Sequence, residues 1–176
     1  MRMALVLLAA VVMGGLLAAM AAGPVSMSDL HALITYPTSD NDTDEFQAAV
    51  ATGDVNAVKS LLARKPGLVN SRDNDNWTPL HEAARVGAVN MAQILLANGA
   101  DINARNNKGC SPLHTAVCAK EFAITKYLVK HGADINAEDY EGITPLAYAR
   151  RYHNAQTIDL LYSHGAIIDL SEAETL

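Results

Sequence analysis

A chain of 176 residues, half of them apolar, is long enough to build one modest domain around a buried core. Its 19 acidic residues outnumber its 13 basic ones, for a formal charge of -6. Neutralising a phosphate backbone requires clustered cations, and the dispersed lysines and arginines here argue against a nucleic-acid partner.

The chain opens with a short basic start, Met1-Arg2-Met3, and residues 4–22 carry no charge. Ala19-Met20-Ala21 places small residues at the two positions an export peptidase reads, so residues 1–22 are expected to act as a secretory signal. The apolar run also approaches the ~20 residues that span a bilayer, which makes an uncleaved N-terminal anchor the alternative. Either way the rest of the chain is expected outside the cytoplasm, in the periplasm, with a bacterial source inferred from the style of the signal. Residues 23–43 read as a short helix beginning near Ser28 or Asp29 and a linker through the turn-rich stretch TYPTSDNDTDE. His31, in that helix, has no partner nearby in sequence and reads as a surface or packing residue.

From about residue 44 to residue 169 the chain repeats itself, leaving residues 170–176 as a tail. The box TPLH at Thr78–His81 returns as SPLH at Ser111–His114 and as TPLA at Thr144–Ala147, each 33 residues on. The box NGADIN at Asn98–Asn103 returns with the same shift as HGADIN at His131–Asn136 and HGAIID at His164–Asp169. Proline opens a helix where its missing donor costs nothing, so Pro79, Pro112 and Pro145 mark three helix starts capped by Thr78, Ser111 and Thr144. Second helices follow, with apolar residues at helical spacing and Gly99, Gly132 and Gly165 beyond their ends as C-caps. A divergent earlier unit places Phe46, Ala49, Gly53 and Leu61-Leu62 in register with Leu80, Ala83, Gly87 and Leu95-Leu96 at a shift of 34.

The adjacent His81 and Glu82 do not make a metalloprotease motif, because the position four beyond His81 is Arg85 rather than a second histidine. A phosphate-cradling glycine loop, a serine elbow and a histidine pair at metal spacing are also missing from the sequence. No catalytic residue, metal ligand or cofactor is expected. Cys110 and Cys118 stand eight residues apart, one just before an inner helix and one two turns along it. That spacing implies ~10–12 Å at 1.5 Å per residue. It exceeds the ~7 Å that a disulfide tolerates between Cα atoms, so both thiols are expected to stay free.

The two boxes at a 33-residue period resemble those of the ankyrin-repeat family. The resemblance implies an all-α repeat solenoid of four stacked units, at about 44–75, 76–108, 109–141 and 142–169. Each unit is expected to be a β-turn or hairpin finger followed by two antiparallel helices. It further implies that His81 and His114 bridge backbone groups of neighbouring fingers. His131 and His164 fall at helix C-termini, where the dipole favours a cation. Glu138-Asp139 falls at a fingertip, open to water, where nothing would separate the two pKa values. Asn76 stands where the family has glycine and tolerates the left-handed conformation required there. His153 also replaces a glycine, and the sequence offers no reason for it.

In such a stack the fingertips and the outward side of the inner helices form a concave surface that binds a partner protein. Transferred position by position, this selects Asn74, Asp75, Trp77, Arg85 and Val86 in the second repeat. The third gives Asn107, Lys108, Cys110, Cys118 and Ala119, and the fourth Tyr140, Glu141, Ile143, Arg151 and Tyr152. The first repeat offers only Ala51 and Thr52. Trp77, the sole tryptophan, heads the set because tryptophan, tyrosine and arginine dominate interface energetics. The expected function is that of a monomeric, non-catalytic protein-binding module in the bacterial envelope, touching membrane only through an uncleaved N-terminal anchor. Exported members that the chain resembles support an oxidative-stress enzyme such as catalase or neutralise a toxin. The alternative is a haem or small-molecule carrier, or a thiol-redox accessory, built on Cys110, Cys118 and His153.

Overall fold

The computed structural model describes residues 41–167. The apolar segment at 4–22, the short helix expected near residue 28 and the tail from 170 lie outside the described residues. Within them the chain forms eight α-helices and one 3-10 turn, and no strand. Helix α1 is Asn41–Thr52, α2 is Val55–Arg64, and the 3-10 turn Pro66–Asn70 follows. Then come α3, Pro79–Arg85; α4, Val89–Ala97; α5, Pro112–Cys118; α6, Phe122–Lys130; α7, Pro145–Arg151; and α8, Ala155–Ser163. No helix among the described residues is long and apolar enough to cross a membrane.

Helix α1 begins inside the stretch expected to be linker. Asp42 and Asp44 occupy its first turn, where carboxylates meet the positive end of the helix dipole, and Asp42 is also ion-paired with Lys65. The three proline-led helices start as the boxes imply. Ser111 Oγ accepts from the backbone N–H of His114 at 3.4 Å, and Thr144 Oγ1 from that of Ala147 at 3.2 Å. At each start the proline occupies the first turn, where its missing N–H would have had no partner in any case.

The helices form two layers. In the inner layer α1 packs on α3, α3 on α5 and α5 on α7; in the outer layer α4 packs on α6 and α6 on α8. The core between the layers repeats with the sequence. Leu80, Leu113 and Leu146 are at most 2 % exposed, and Ala83, Ala116 and Ala149 are fully buried, small enough to let neighbouring inner helices approach. Leu95, Leu128 and Leu161, the outer-layer counterparts, are also fully buried. Removing each such leucine from water contributes about 1.5–3 kcal/mol. Phe46 fills the leucine position of the divergent first unit with no exposure, so that unit joins the same core without a TPLH box.

Polar ladders with the 33-residue step tie each unit to the next. Asn70 accepts from the Asp101 N–H at 2.8 Å and donates to the Gly99 carbonyl at 2.9 Å; Asn136 makes the same two bonds, to Ile167 and Gly165. Arg72 donates to the carbonyl of Arg105 at 2.7 Å, and Arg105 in turn donates to that of Glu138. With Glu at position 138 this ladder stops.

The turn between inner and outer helix takes left-handed backbone in every unit, and His153 stands at that position in the fourth. Gly53 and Gly87 adopt φ 77° and 71°, while Lys120 and His153 adopt 61° and 52° in the same register. Glycine serves there without strain; lysine and histidine do not. Asn76, at φ 57°, matches Gly109 and Gly142, both at 76°, in the fingers. Gly109 has a second constraint: a Cβ added to it would stand 2.8 Å from the backbone nitrogen of Tyr140 and 2.7 Å from its ring. Left-handed strain alone costs about 1–2 kcal/mol, so Gly109→Ala is expected to destabilise the fold by about 2 kcal/mol or more, as read by urea unfolding.

Candidate protein-binding groove

Each finger is built by one side chain that folds the turn onto itself. Asp73 Oδ1 accepts from the N–H groups of Asp75 and Trp77, Asn106 Oδ1 from those of Lys108 and Cys110, and Asp139 Oδ1 from those of Glu141 and Ile143, all at 2.8–3.0 Å. Two backbone bonds close each turn: the N–H of residue 73, 106 or 139 donates to the carbonyl four residues on, and the N–H of residue 76, 109 or 142 donates back to the carbonyl of residue 73, 106 or 139. Of the expected β-turn or hairpin, the finger takes the β-turn form, with no strand among the described residues. Fingers also bond to each other, through Asn107 N–H to the Asp75 carbonyl and Tyr140 N–H to the Lys108 carbonyl, both at 3.0 Å.

The box histidines carry this arrangement into the core. His81 Nε2 lies 3.0 Å from the Cys110 carbonyl, and His114 Nε2 lies 3.1 Å from the Ile143 carbonyl, so each Nε2 must carry the proton and donate. Each Nδ1 receives a backbone N–H, from Thr78 at 3.2 Å and Ser111 at 3.1 Å, and must be the acceptor. Both rings are fully buried in the neutral tautomer this fixes. Burial lowers the pKa of each below 6.5, outweighing the opposing pull of its carbonyl partner. They bridge neighbouring fingers, as the family resemblance implies.

Asp139 departs from its expected place in open water. It is 7 % exposed, and its second oxygen accepts from the Tyr148 hydroxyl at 2.8 Å, with the Cys110 thiol at 3.9 Å. Burial pushes its carboxyl upward, but the N–H groups of Ile143 and Glu141 and the Tyr148 hydroxyl outweigh that and hold its pKa below 3.8. The same pair works in reverse on Tyr148, whose hydroxyl is pushed up by burial and by donation to the carboxylate.

Between the fingers and the inner helices lies a groove of about 430 Å³. It gathers seven of the sequence-selected residues from three repeats: Trp77 and Arg85; Lys108, Cys110, Cys118 and Ala119; and Tyr152. It also takes in His114, expected only as a structural bridge, and Asn106, Thr115 and Tyr148, which the sequence does not single out. Thr115 and Tyr148 sit one helical turn before Cys118 and Tyr152, so the i, i+3/i+4 rule applied to the chosen positions would have found them. Tyr148 and Tyr152 stack with ring planes 13° apart.

The other selected residues lie elsewhere. Asn74, Asp75, Asn107, Tyr140 and Glu141 are exposed at the fingertips, Tyr140 at 73 %. Val86 caps the end of α3, and Arg151 reaches over the Tyr148 ring, 5.7 Å from its centroid, rather than lining the groove. Ile143 is a correction: expected on the binding surface, it is buried at 9 %. Its N–H is held by Asp139 and its carbonyl by His114 and the Asp139 N–H, the same bonds that Asn106 and His81 make to Cys110 in the third finger.

Both cysteines are free. Burial, reinforced by the Asp139 carboxylate, pushes the Cys110 thiol up; Cys118 is pushed up to about 11 by burial, with Cys110 and Asp139 adding. A reactive thiol requires the opposite shift. His153, exposed on its turn, does not line the groove that holds the two thiols. Among the described residues no three His, Cys, Asp or Glu side chains are grouped so as to hold a metal ion.

Paired helices stacked at a fixed step, fingers joined edge to edge, and a groove spanning several units define a repeat scaffold. The sequence matches the family pattern "Ankyrin repeats (many copies)" over residues 61–116 and "Ankyrin repeats (3 copies)" over residues 98–172. Together the matches run from 61 to 172, well over half of the sequence, and the chain belongs to the ankyrin-repeat family. Among curated proteins it is 49 % identical over 45 residues to human Ankyrin repeat domain-containing protein 49, covering 26 % of this chain and 19 % of that one. It is 38 % identical over 60 residues to the 2-5A-dependent ribonuclease of Mus musculus, covering 34 % of this chain and 8 % of the enzyme. Against the human NAD-capped RNA hydrolase NUDT12 it is 35 % identical over 57 residues, 32 % of this chain and 12 % of that protein. The chain thus spans less than a fifth of the length of these relatives, and the matches to the two enzymes fall on their repeats. Ankyrin repeats are general protein-protein interaction modules and are typically non-catalytic.

Proposed function

We propose that this chain is a non-catalytic adaptor exported to a bacterial envelope, where it holds one partner protein in the groove between its fingers and inner helices. The observation that carries this reading is the gathering of Trp77, Arg85, Tyr148 and Tyr152, from two repeats, around a groove of about 430 Å³ whose middle is supplied by the third. These residue types anchor interfaces because they bury large surface with few rotatable bonds. The scaffold that presents them is prepaid: fingers bonded to one another by backbone and histidine do not have to be ordered when a partner arrives. The uncharged segment at 4–22 supports export. An oxidative-stress enzyme such as catalase, or a toxin to be neutralised, are the partner classes that the family resemblance brings to this chain.

Affinity capture from envelope extract tests the reading, using the full chain beside a Trp77→Ala, Arg85→Ala, Tyr152→Ala variant shown by circular dichroism to be folded. Hot-spot truncations of this kind cost about 2 kcal/mol each, so the triple variant is expected to lose its partner by 100-fold or more. The same proteins retained by both chains would overturn the groove as the binding site.

A further inference from the structure

In a chain of formal charge -6, four basic side chains surround the groove: Arg85, Lys108, Lys120 and Arg151. Only Arg85 has a carboxylate within salt-bridge distance, Glu82, which takes its Nε and Nη2 at 2.9 and 2.6 Å. Lys120 and Arg151 lie instead over the rings of Tyr152 and Tyr148, 5.9 and 5.7 Å from the centroids, and Lys108 lines the groove itself. Of the carboxylates nearby, Glu82 is engaged by Arg85, Asp139 is buried among donors, Asp75 lies beside Lys108 and Trp77, and Glu121 lies against Gly87; none is within salt-bridge distance of Lys108, Lys120 or Arg151. Aromatic surface and cations without a direct ion pair are therefore interleaved at and beside one groove.

We infer that the groove takes an acidic polypeptide segment, one that seats an aliphatic or aromatic side chain against Trp77 and Tyr152 while flanking Asp or Glu side chains meet Lys108, Lys120 and Arg151. This deepens the protein-binding reading and rests on it. The apolar floor asks for a side chain that leaves water, and the three cations ask for carboxylates on either side of it. A nucleic-acid strand is the poorer fit, because its affinity comes from closely spaced phosphates on clustered cations. Only three cations without a direct ion pair lie here, in a chain of formal charge -6, too few to neutralise a run of phosphates but enough to meet two or three carboxylates. The partner's own negative charge need not be repelled by the acidic remainder of the chain, since exposed charges further away than about 8–10 Å are screened at physiological salt.

The test is selection of a displayed random dodecapeptide library on the full chain, with a parallel selection on a Lys108→Gln, Lys120→Gln, Arg151→Gln variant of unchanged melting temperature. Binding of the enriched peptides, and of a single-stranded oligodeoxynucleotide of equal charge, is then followed by the emission of Trp77, the only tryptophan in the sequence. Enriched peptides are expected to carry an excess of Asp and Glu around one apolar side chain. They should shift Trp77 emission saturably and bind about tenfold more weakly to the triple variant and in high salt. Neutral or basic enriched sequences, equal affinity for the variant, no enrichment, or an emission shift produced by the oligonucleotide and not by peptide would each overturn the inference. If peptide binding fails while envelope capture still depends on Trp77, Arg85 and Tyr152, the acidic chemistry falls and the adaptor reading stands; if capture is also indifferent to those residues, both fall.

Discussion

As the pH falls below 6.5 the folded chain is expected to lose stability at up to about 2.7 kcal/mol per pH unit, about 1.4 from each of two histidines. In the unfolded chain an imidazole takes up its proton near pH 6.5. In the fold His81 and His114 resist it, because Nδ1 is already occupied by a backbone N–H and Nε2–H is already given to a carbonyl. The folded pKa values lie below the unfolded one, so in this window the unfolded state binds more protons and is favoured as acid is added. Above pH 6.5 both states are neutral and the contribution is complete and constant. Asp139, held below 3.8, adds its own loss only at lower pH, so the two effects separate on the pH axis. Urea unfolding at half-unit pH steps reads the slope. His114→Gln should roughly halve it between pH 6.5 and 5, and an unaltered slope in that variant would mean that the protons are taken up elsewhere.

That these two histidines could be found without coordinates follows from repetition. A side chain that returns with its neighbours after 33 residues is doing the same job in each unit, and TPLH also carries its own helix start in proline and its own cap in threonine or serine. The same logic located the helix-ending glycines, which recur at φ 86°, 89° and 93° for Gly99, Gly132 and Gly165. Register was less able to place side chains on the surface. Trp77, Cys110 and Ile143 are equivalent in sequence, yet the first two line the groove while Ile143 is buried, because burial depends on what the neighbouring units contribute at that level. His153 and Lys120 show a further limit: a strained left-handed turn can be imposed by the stack on residues that would not choose it. Asp139 was missed for a different reason. Viewed as half of a carboxylate pair with Glu138 it suggests solvent and little else, whereas set beside Asp73 and Asn106, 66 and 33 residues earlier, it is the turn-forming acceptor of the fourth finger.

Asp139→Ala is expected to cost about 3 kcal/mol or more in urea unfolding at neutral pH, one of the largest losses available to a single substitution outside the apolar core. Truncation strips an acceptor from the buried N–H of Ile143, from the N–H of Glu141 and from the Tyr148 hydroxyl together. Each buried donor left without a partner costs about 1–3 kcal/mol, and the void removes further contacts. Asp139→Asn should be much milder, near 1 kcal/mol, because Asn106 already forms the same turn with its Oδ1 at 2.9 and 3.0 Å from two backbone nitrogens. Only the second oxygen is lost, and the Tyr148 hydroxyl can rotate to accept from the amide that replaces it. Tyr148→Phe removes the other side of that contact, and as a bond to a charged acceptor it should cost about 1.5–3 kcal/mol. Since the two residues share one bond, the Asp139→Ala, Tyr148→Phe double variant should be less destabilised than the two single costs added together, by about 1 kcal/mol. A result for Asp139→Ala within about 0.5 kcal/mol of the parent, the range of an ordinary surface change, would return this carboxylate to the solvent-exposed fingertip that its sequence neighbours suggest.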